Sequence, residues 1–249
     1  MSKPRFIQIE SKNALLELLK EGRTFERIYI SSNAYKDDKT KEIVDIAGKK
    51  RIPMYKVSRR EINRRLRTSK SENIIGMMYS ENDWKLSDLL DKLFEEKKQP
   101  FFLILDNIKY TQNIAAIMRT AFGGGVNGVI ISPQKKNIVT NETIRISMGA
   151  AERIPIVETN LFTAMKELKD NDIKIVGITM EGKPHFESNL KGPIALVLGA
   201  EDYGISTGIL ERCDELISIP MREGIGSLNV SASGAILIYE KLRQEVSKK

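Results

Sequence analysis

One cysteine, Cys213, and one histidine, His185, are all that 249 residues hold of the two side chains most used in metal and nucleophilic chemistry. No disulfide can close within the chain, and no Cys/His zinc cluster can assemble. A Cys–His catalytic pair would have to join Cys213 to a histidine in a loop-like stretch, EGKPHFES, with no motif around it, so His185 reads as a surface residue. Long apolar runs are also missing. Nothing approaches the roughly 20 residues of a membrane-spanning helix, and the start, MSKPRFIQIESKN, lacks the apolar centre of a secretory signal. The expectation is a cytoplasmic protein with no membrane partner.

What is present is ample apolar material, 41% of residues, enough for one large domain or two small ones. The net charge of +7 is unevenly placed: the first 100 residues hold 23 Lys/Arg against 16 Asp/Glu, and the remaining 149 hold 17 of each. The excess concentrates in residues 48–67, GKKRIPMYKVSRREINRRLR, where nine basic residues face one acid, Glu61. Arg59, Arg60, Arg64, Arg65 and Arg67 favour planar phosphate contacts, and counterion release would reward them, so this half reads as a nucleic-acid-binding module joined to a neutral one. The competing account is a solvated helix face. Tyr55 is the only aromatic residue in the run, which argues against base stacking from this segment.

Strand-like and helix-like patterns alternate throughout. Residues 12–20, 39–49 and 61–67 read as helices and 27–30, 53–57 and 74–78 as strands, making an α/β unit over residues 1–80. Residues 81–99 read as a linker and connecting helix, with Leu86, Leu89, Leu90, Leu93 and Phe94 at helical spacing. From residue 100 to 249 a second series begins with FFLIL (101–105), a run expected for a strand buried on both faces. Further buried strands are expected at 128–131, 173–178, 194–198 and 216–219, with helices at 161–169 and 230–245. This alternation implies an α/β fold, a parallel sheet with helices on both faces. Ligands in such sheets bind beyond the carboxyl ends of the strands.

Three segments follow such strands. In LDNIKYTQNIAAIMRTA (105–121), Asn113 and Arg119 are the polar exceptions in an apolar helix; they converge only if Asn113 lies in the entry turn. A plain helix cap and a surface arginine would explain them as well. In LVLGAEDYGIS (196–206), Gly199 would let a ligand approach the backbone, and Glu201 is a carboxylate directly after a buried strand. In ISIPMREGIGSLNVSASGAILIYEKL (217–242), Gly224-x-Gly226 precedes a helix, yet G-x-G-x-x-G fails at Asn229 and no Walker lysine follows. The helix has one small face (Ser231, Ala232, Gly234, Ala235), suited to close packing against another backbone.

Together the three segments resemble, in order, the motifs of SpoU-type RNA ribose methyltransferases, the TrmH-like branch of the SPOUT superfamily. The family's Asn followed six residues later by Arg matches Asn113 and Arg119; its Leu-Gly-x-Glu matches Leu198 to Glu201. Its Ile-Pro-Met and Ser-Leu-Asn-Val-Ser match Ile219 to Met221 and Ser227 to Ser231 without substitution. Residues 147–157, SMGAAERIPIV, resemble the family's intervening helix and strand, and the first 80 residues resemble its optional substrate-binding domain. Ala115 stands where a glycine is usual and Asp202-Tyr203 replaces the glycine after the glutamate, departures that bear on subgroup and substrate.

The resemblance implies a C-terminal trefoil knot, S-adenosylmethionine as methyl donor, no metal, and a homodimer, for which the small face of the last helix offers a surface. It implies that Gly199, Ile219 and Leu228 hold the donor, with Thr179, Ala200 and Met221 as further contacts. It casts Arg119 as the residue acting on the ribose hydroxyl, with Asn113, Glu201, Ser227 and Asn229 orienting it, the ribose and the donor. An arginine is a poor base at neutral pH, so stabilisation of the forming alkoxide suits Arg119 better. The RNA implied is ribosomal, with transfer RNA as the alternative. Outside catalysis, a non-catalytic RNA-binding protein on the same scaffold and a nucleotide-dependent small-molecule enzyme using the 224–226 loop are the competing readings.

Overall fold

The computed structural model describes residues 6–32, 34, 37–66, 72–79, 84–133, 138–223 and 226–246. Two compact units form, one from Met1–Glu81 with Val139–Gly149, the other from Asn82–Ile138 with Ala150–Lys249. Elements are numbered in chain order.

In the first unit, β1 (Phe6–Ile9), β2 (Phe25–Ser31), β3 (Met54–Val57) and β4 (Ile74–Tyr79) form a sheet in the order β1-β4-β2-β3. Strands β2 and β3 run parallel; β4 is antiparallel to both β1 and β2. The helices α1 (Lys12–Lys20) and α2 (Asp38–Lys49) bury Leu15, Leu19 and Ile43, and the sheet residues Ile28, Ile30 and Ile74 are fully buried. Each such side chain contributes about 1.5–3 kcal/mol. The basic helix α3 (Arg59–Arg65) starts two residues earlier than its apolar pattern suggests. Ser58 accepts a hydrogen bond from the Glu61 N–H (3.1 Å), the first half of a capping box. It ends where Leu66 turns extended; Arg67 lies outside the described residues.

The second unit holds six parallel strands: β5 (Phe101–Leu105), β6 (Gly128–Ile131), β7 (Ile156–Glu158), β8 (Lys174–Pro184), β9 (Ile194–Leu198) and β10 (Glu215–Ser218). Their order is β10-β8-β9-β5-β6-β7. One face packs on α4 (Leu86–Glu95) and α8 (Leu161–Asp170): Leu86, Leu89, Leu90 and Leu93 share a buried cluster with Phe102, Ile104, Leu161 and Leu168. Residues 86–95, expected as a connecting helix, are therefore core of this unit. The other face carries α5 (Thr111–Gly123) and α10 (Val230–Val246), which pack together. Short helices α6 (Asn141–Ile146), α7 (Ala150–Arg153) and α9 (Thr207–Leu210) complete the chain, α6 falling in the first unit.

Strand β8 runs six residues beyond the expected 173–178. Its pairing with β10 jumps register: Glu215 and Leu216 face Val176 and Gly177, whereas Ile217 and Ser218 face Lys183 and Pro184. The intervening residues, Thr179 among them, leave the ladder. At its start β10 is tied to β8 by Glu215, which binds the ammonium groups of Lys174 (2.6 Å) and Lys183 (3.1 Å).

Candidate active site

Strand order reverses between β5 and β9, the place where ligands lodge in open parallel sheets. The chain leaving β5 and the chain leaving β9 are joined there by Asp106, only 3% exposed. Its N–H donates to the Leu198 carbonyl (2.9 Å), and its carboxylate accepts from the Ser206 N–H (2.7 Å) and the Asn107 side chain (2.9 Å). Sequence reasoning passed over Asp106, although the argument that singled out Glu201, a carboxylate directly after a buried strand, applies to it equally.

Between Leu198 and Ser206 the chain makes a tight excursion. The N–H of Ala200 donates to the Gly204 carbonyl and the Gly204 N–H returns the bond to Ala200, both at 2.9 Å. Gly204 has φ +71°, which favours glycine. Gly199 is needed for a different reason: a Cβ there would lie 2.1 Å from the Gly204 carbonyl carbon and 2.2 Å from the Ile205 nitrogen. Beside the expected role of Gly199, room for a ligand, stands a steric one: the chain's own backbone fills the space that a Cβ would take. Glu201 stands at the tip.

From this tip a line of amides runs across the strand ends. Asn113 donates through Nδ2 to Glu201 Oε1 in a short hydrogen bond. Its Oδ1 accepts from Asn229 Nδ2 (3.0 Å), and Asn229 Oδ1 accepts from the N–H (2.9 Å) and hydroxyl (2.6 Å) of Ser231. The two ends set the polarity: a carboxylate can only accept and a backbone N–H can only donate, so each amide has one orientation. Asn229 thereby caps α10, whose first turn closes through Ser233 N–H to the Asn229 carbonyl (3.0 Å). Asn113 is no cap: α5 starts at Thr111 after Tyr110.

Asn113 thus sits inside the helix. Six residues on, Arg119 is turned about 120° away, so the two do not converge within this chain. Arg119 is exposed and makes no hydrogen bond or ion pair among the described residues. It shares its outer arc with Phe122, 45% exposed with the Arg153 guanidinium 5.6 Å from its ring centroid; α10 exposes Ile236 and Tyr239, and the Tyr239 hydroxyl lies 3.4 Å from where a Gly123 Cβ would be. Of the small residues of α10, Gly234 is buried against the sheet, where an added Cβ would lie 3.0 Å from Leu198 Cδ1, whereas Ser231 and Ala235 are half-buried and Ala232 is exposed.

Ser227 and Leu228 lie exposed ahead of α10, and Ile219 and Met221 lie just past β10. The backbone amides of Ile219, Met221 and Leu228 enter no hydrogen bond among the described residues. Among the described residues Thr179 Oγ1 is buried with no partner, an anomaly in a folded interior. Free amides and one orphaned hydroxyl suit a ligand with a polar edge, such as an adenosine. Ala200 offers less, since its N–H and carbonyl already serve Gly204.

Other candidates for chemistry fall away. The Cys213 thiol is pushed up to about 11 by burial and by Asp214, and it bonds to the Ile209 carbonyl. His185, expected at the surface, is half-buried in a 3₁₀ turn, edge-on to Phe186 with Nδ1 3.3 Å from the Ser218 carbonyl oxygen. Among the described residues no three His, Cys, Asp or Glu side chains gather as a metal site. In the first unit Arg59, Arg60, Arg64 and Arg65 are all exposed, and Glu61 pairs with Arg64 (2.9 Å) and Arg65 (2.7 Å).

Residues 100–239 match the model of the SpoU rRNA methylase family, and residues 9–81 match that of the RNA 2'-O ribose methyltransferase substrate-binding domain. The TrmH-family tRNA/rRNA methyltransferase homologue YacO of Bacillus subtilis is 32% identical over 94% of both chains. The 23S rRNA (guanosine-2'-O-)-methyltransferase RlmB of Pectobacterium atrosepticum is 42% identical over 68% of both. Among solved structures, the SpoU methyltransferase AviRb of Streptomyces viridochromogenes, in complex with AdoMet, superposes with a TM-score of 0.82 at 18% identity, covering 98% of this chain and 92% of its own. That likeness concerns the fold.

Proposed function

Because the chain belongs to the SpoU rRNA methylase family and is an S-adenosylmethionine-dependent RNA ribose 2'-O-methyltransferase, we propose that ribosomal RNA is its substrate and that the amide line beyond β5 and β9 is its active site. The observation that carries the site is the meeting of all three motif segments in one hydrogen-bonded chain, Glu201 to Asn113 to Asn229. The names of the RlmB relatives favour ribosomal RNA and, within it, a guanosine; YacO, named for both RNA classes, keeps transfer RNA as the second reading.

When bound, S-adenosylmethionine supplies a methyl group on positively charged sulfur. The backbone of Gly199, Ile219, Met221 and Leu228, with Ala200 beside them, and the unpartnered Thr179 hydroxyl would hold it. Glu201, fixed by Asn113, and Asn229, fixed by α10, orient the ribose; Ser227 reaches the same side. Arg119 stabilises the charge that develops on the 2'-oxygen as its proton leaves. Positioning is the main demand of such a displacement. The intact polar line argues against a non-catalytic scaffold.

The distance around α5 between Asn113 and Arg119 supports a homodimer in which Arg119 of one copy completes the site of the other. Exposed Phe122 on α5 and Ile236 and Tyr239 on the adjoining α10 supply the apolar contact such a pairing needs. Light scattering should give a dimer, and a monomer with full activity would refute this arrangement. The trefoil knot and a cytoplasmic location belong to the same reading; among the described residues no helix is long and apolar enough to cross a membrane.

The test of the substrate is to map ribose methylation in RNA from a strain lacking the gene. Loss of one methyl in ribosomal RNA, restored by the purified chain with labelled donor, is expected. Loss confined to transfer RNA would favour the second reading.

A further inference from the structure

The sheet of the first unit has two faces; one carries the buried Ile28, Ile30 and Ile74, and the other is mixed, with Ile75 and Gln8 buried, Tyr29, Met77 and Tyr79 half-buried and Tyr55 exposed. On this mixed face the register aligns Tyr55 of β3 with Tyr29 of β2, Tyr29 with Ile75 of β4, and Met77 of β4 with both Arg27 of β2 and Gln8 of β1. Farther along it, Tyr79 pairs with Phe6. Residues widely separated in sequence thus form an aromatic surface: Tyr29 and Tyr55 have ring centroids 5.7 Å apart, and Phe6 and Tyr79 5.1 Å. The basic helix reaches the same face. Arg65 lays its guanidinium 4.5 Å from the Tyr29 ring centroid, and its carbonyl accepts from Gln8 Nε2 (2.8 Å). An open cavity of about 230 Å³ lies between Gln8, Glu26, Arg27, Tyr29, Arg65, Ile75 and Met77, with Arg27 paired to Glu26.

We propose that this face binds an unpaired stretch of RNA, with one base entering the cavity beside Tyr29 and Arg65 and a neighbouring base stacking on Tyr55. The proposal rests on the reading that the chain acts on RNA, and deepens it by naming the part recognised: single-stranded bases rather than the phosphates of a duplex. Four observations carry it. The cavity is smaller than the roughly 300–1,000 Å³ that encloses a whole ligand, so it suits one planar group. Tyr55 is 48% exposed and the Arg65 guanidinium is held by Glu61, giving two planar groups on which bases can stack. The charge fits as well: Arg59, Arg60 and Arg64 line the same helix and can follow the backbone of the strand whose bases lie on the sheet. At the cavity Gln8 uses Nε2 on Glu10 and Arg65, which leaves its Oε1 as an acceptor for the edge of a base.

The experiment uses the full chain and three fluorescein-labelled probes at fixed salt: an oligouridine, an abasic oligomer of equal charge, and an RNA duplex. Wild type should prefer oligouridine over the abasic oligomer. Tyr55→Ala should weaken oligouridine binding by roughly 5- to 150-fold, the range of one lost base stack, with duplex and abasic binding unmoved, and Tyr55→Phe should restore it. Arg65→Lys, which keeps charge but loses the plane, should also weaken it. Equal binding of oligouridine and abasic oligomer by wild type, or unchanged oligouridine binding by Tyr55→Ala, would overturn the proposal. Methyl transfer to ribosomal RNA by wild type is scored separately: if it is absent the RNA-modifying reading fails, and if it is present while the stacking signature is missing only this proposal fails.

Discussion

Replacing Gly199 by alanine tests how the active-site loop is built. The new Cβ would stand 2.1 Å from Gly204 C, 2.2 Å from Ile205 N and 2.4 Å from Gly204 O, where the optimum for such contacts is about 3.5–4.0 Å. All three are backbone atoms, so no side-chain rotation relieves the clash. Overpacking of this kind costs about 1–3 kcal/mol. Moving the loop aside also breaks one or both of the 2.9 Å bonds between Ala200 and Gly204, at about 0.5–1.5 kcal/mol each. The sum is about 1.5–6 kcal/mol, which lowers the melting temperature of the second unit by roughly 3–24 °C. Because Glu201 rides on the displaced loop, methyl transfer should fall with it. The assay is a pair of melting curves and a labelled-donor transfer assay, with Gly226→Ala as control. Gly226 has nothing within 4 Å of its added Cβ, and should stay within about 0.5 kcal/mol of wild type. A Gly199→Ala protein that melts like wild type but binds the donor weakly would refute the steric account and restore the view that this glycine serves ligand access.

Other outcomes follow from the same geometry. Arg119→Ala should lower methyl transfer by about 10²–10³-fold, the scale of one lost oxyanion donor, while donor binding measured by calorimetry stays intact; full activity would remove Arg119 from the mechanism. Thr179→Val exchanges a buried, unpartnered hydroxyl for a methyl, so stability should hold or rise while donor affinity drops by about 5- to 10-fold, the worth of one hydrogen bond; unchanged affinity would exclude Thr179 from the donor site. Burial works against the charge on Glu215, but hydrogen bonds from Lys174, Ser188 and Lys183 hold its carboxyl at about 2, below its ordinary 4.5. Its stabilisation is therefore fully present above about pH 4.5 and lost as pH falls through about 2. With screening by water it amounts to about 1–2 kcal/mol, and Glu215→Gln should remove that increment from denaturation curves at pH 7; equal stability there would show the β8–β10 tie to be idle.

Much was legible in the chain before its structure. Buried strands such as FFLIL declare themselves because a strand covered on both faces has no polar alternation to hide it, and β5, β6 and β9 fall at the expected residues. Helix α3 was placed within two residues; the shift came from Ser58, whose cap at Glu61 adds a turn that apolar spacing does not mark. Asn113 and Glu201 could be chosen as polar residues after strand ends and Asn229 by the family resemblance, but periodicity could not say that they form one hydrogen-bonded line.

The division between the two levels is physical. The sequence by itself determined the alternating elements, the absence of Cys/His chemistry, the basic first half, and the motifs that assign the family, because these rest on local period, composition and residue type. Only the tertiary structure decided what depends on contacts between distant segments. It joined Asn113 to Glu201 and Asn229, filled the space above Gly199 with the chain's own backbone, and made Asp106 the tie between two strand ends. It also gathered Tyr29, Tyr55 and Arg65 on one sheet face. Along the chain Tyr55 looked isolated among arginines, since strand register places residues 26 positions apart side by side and no linear pattern carries that distance.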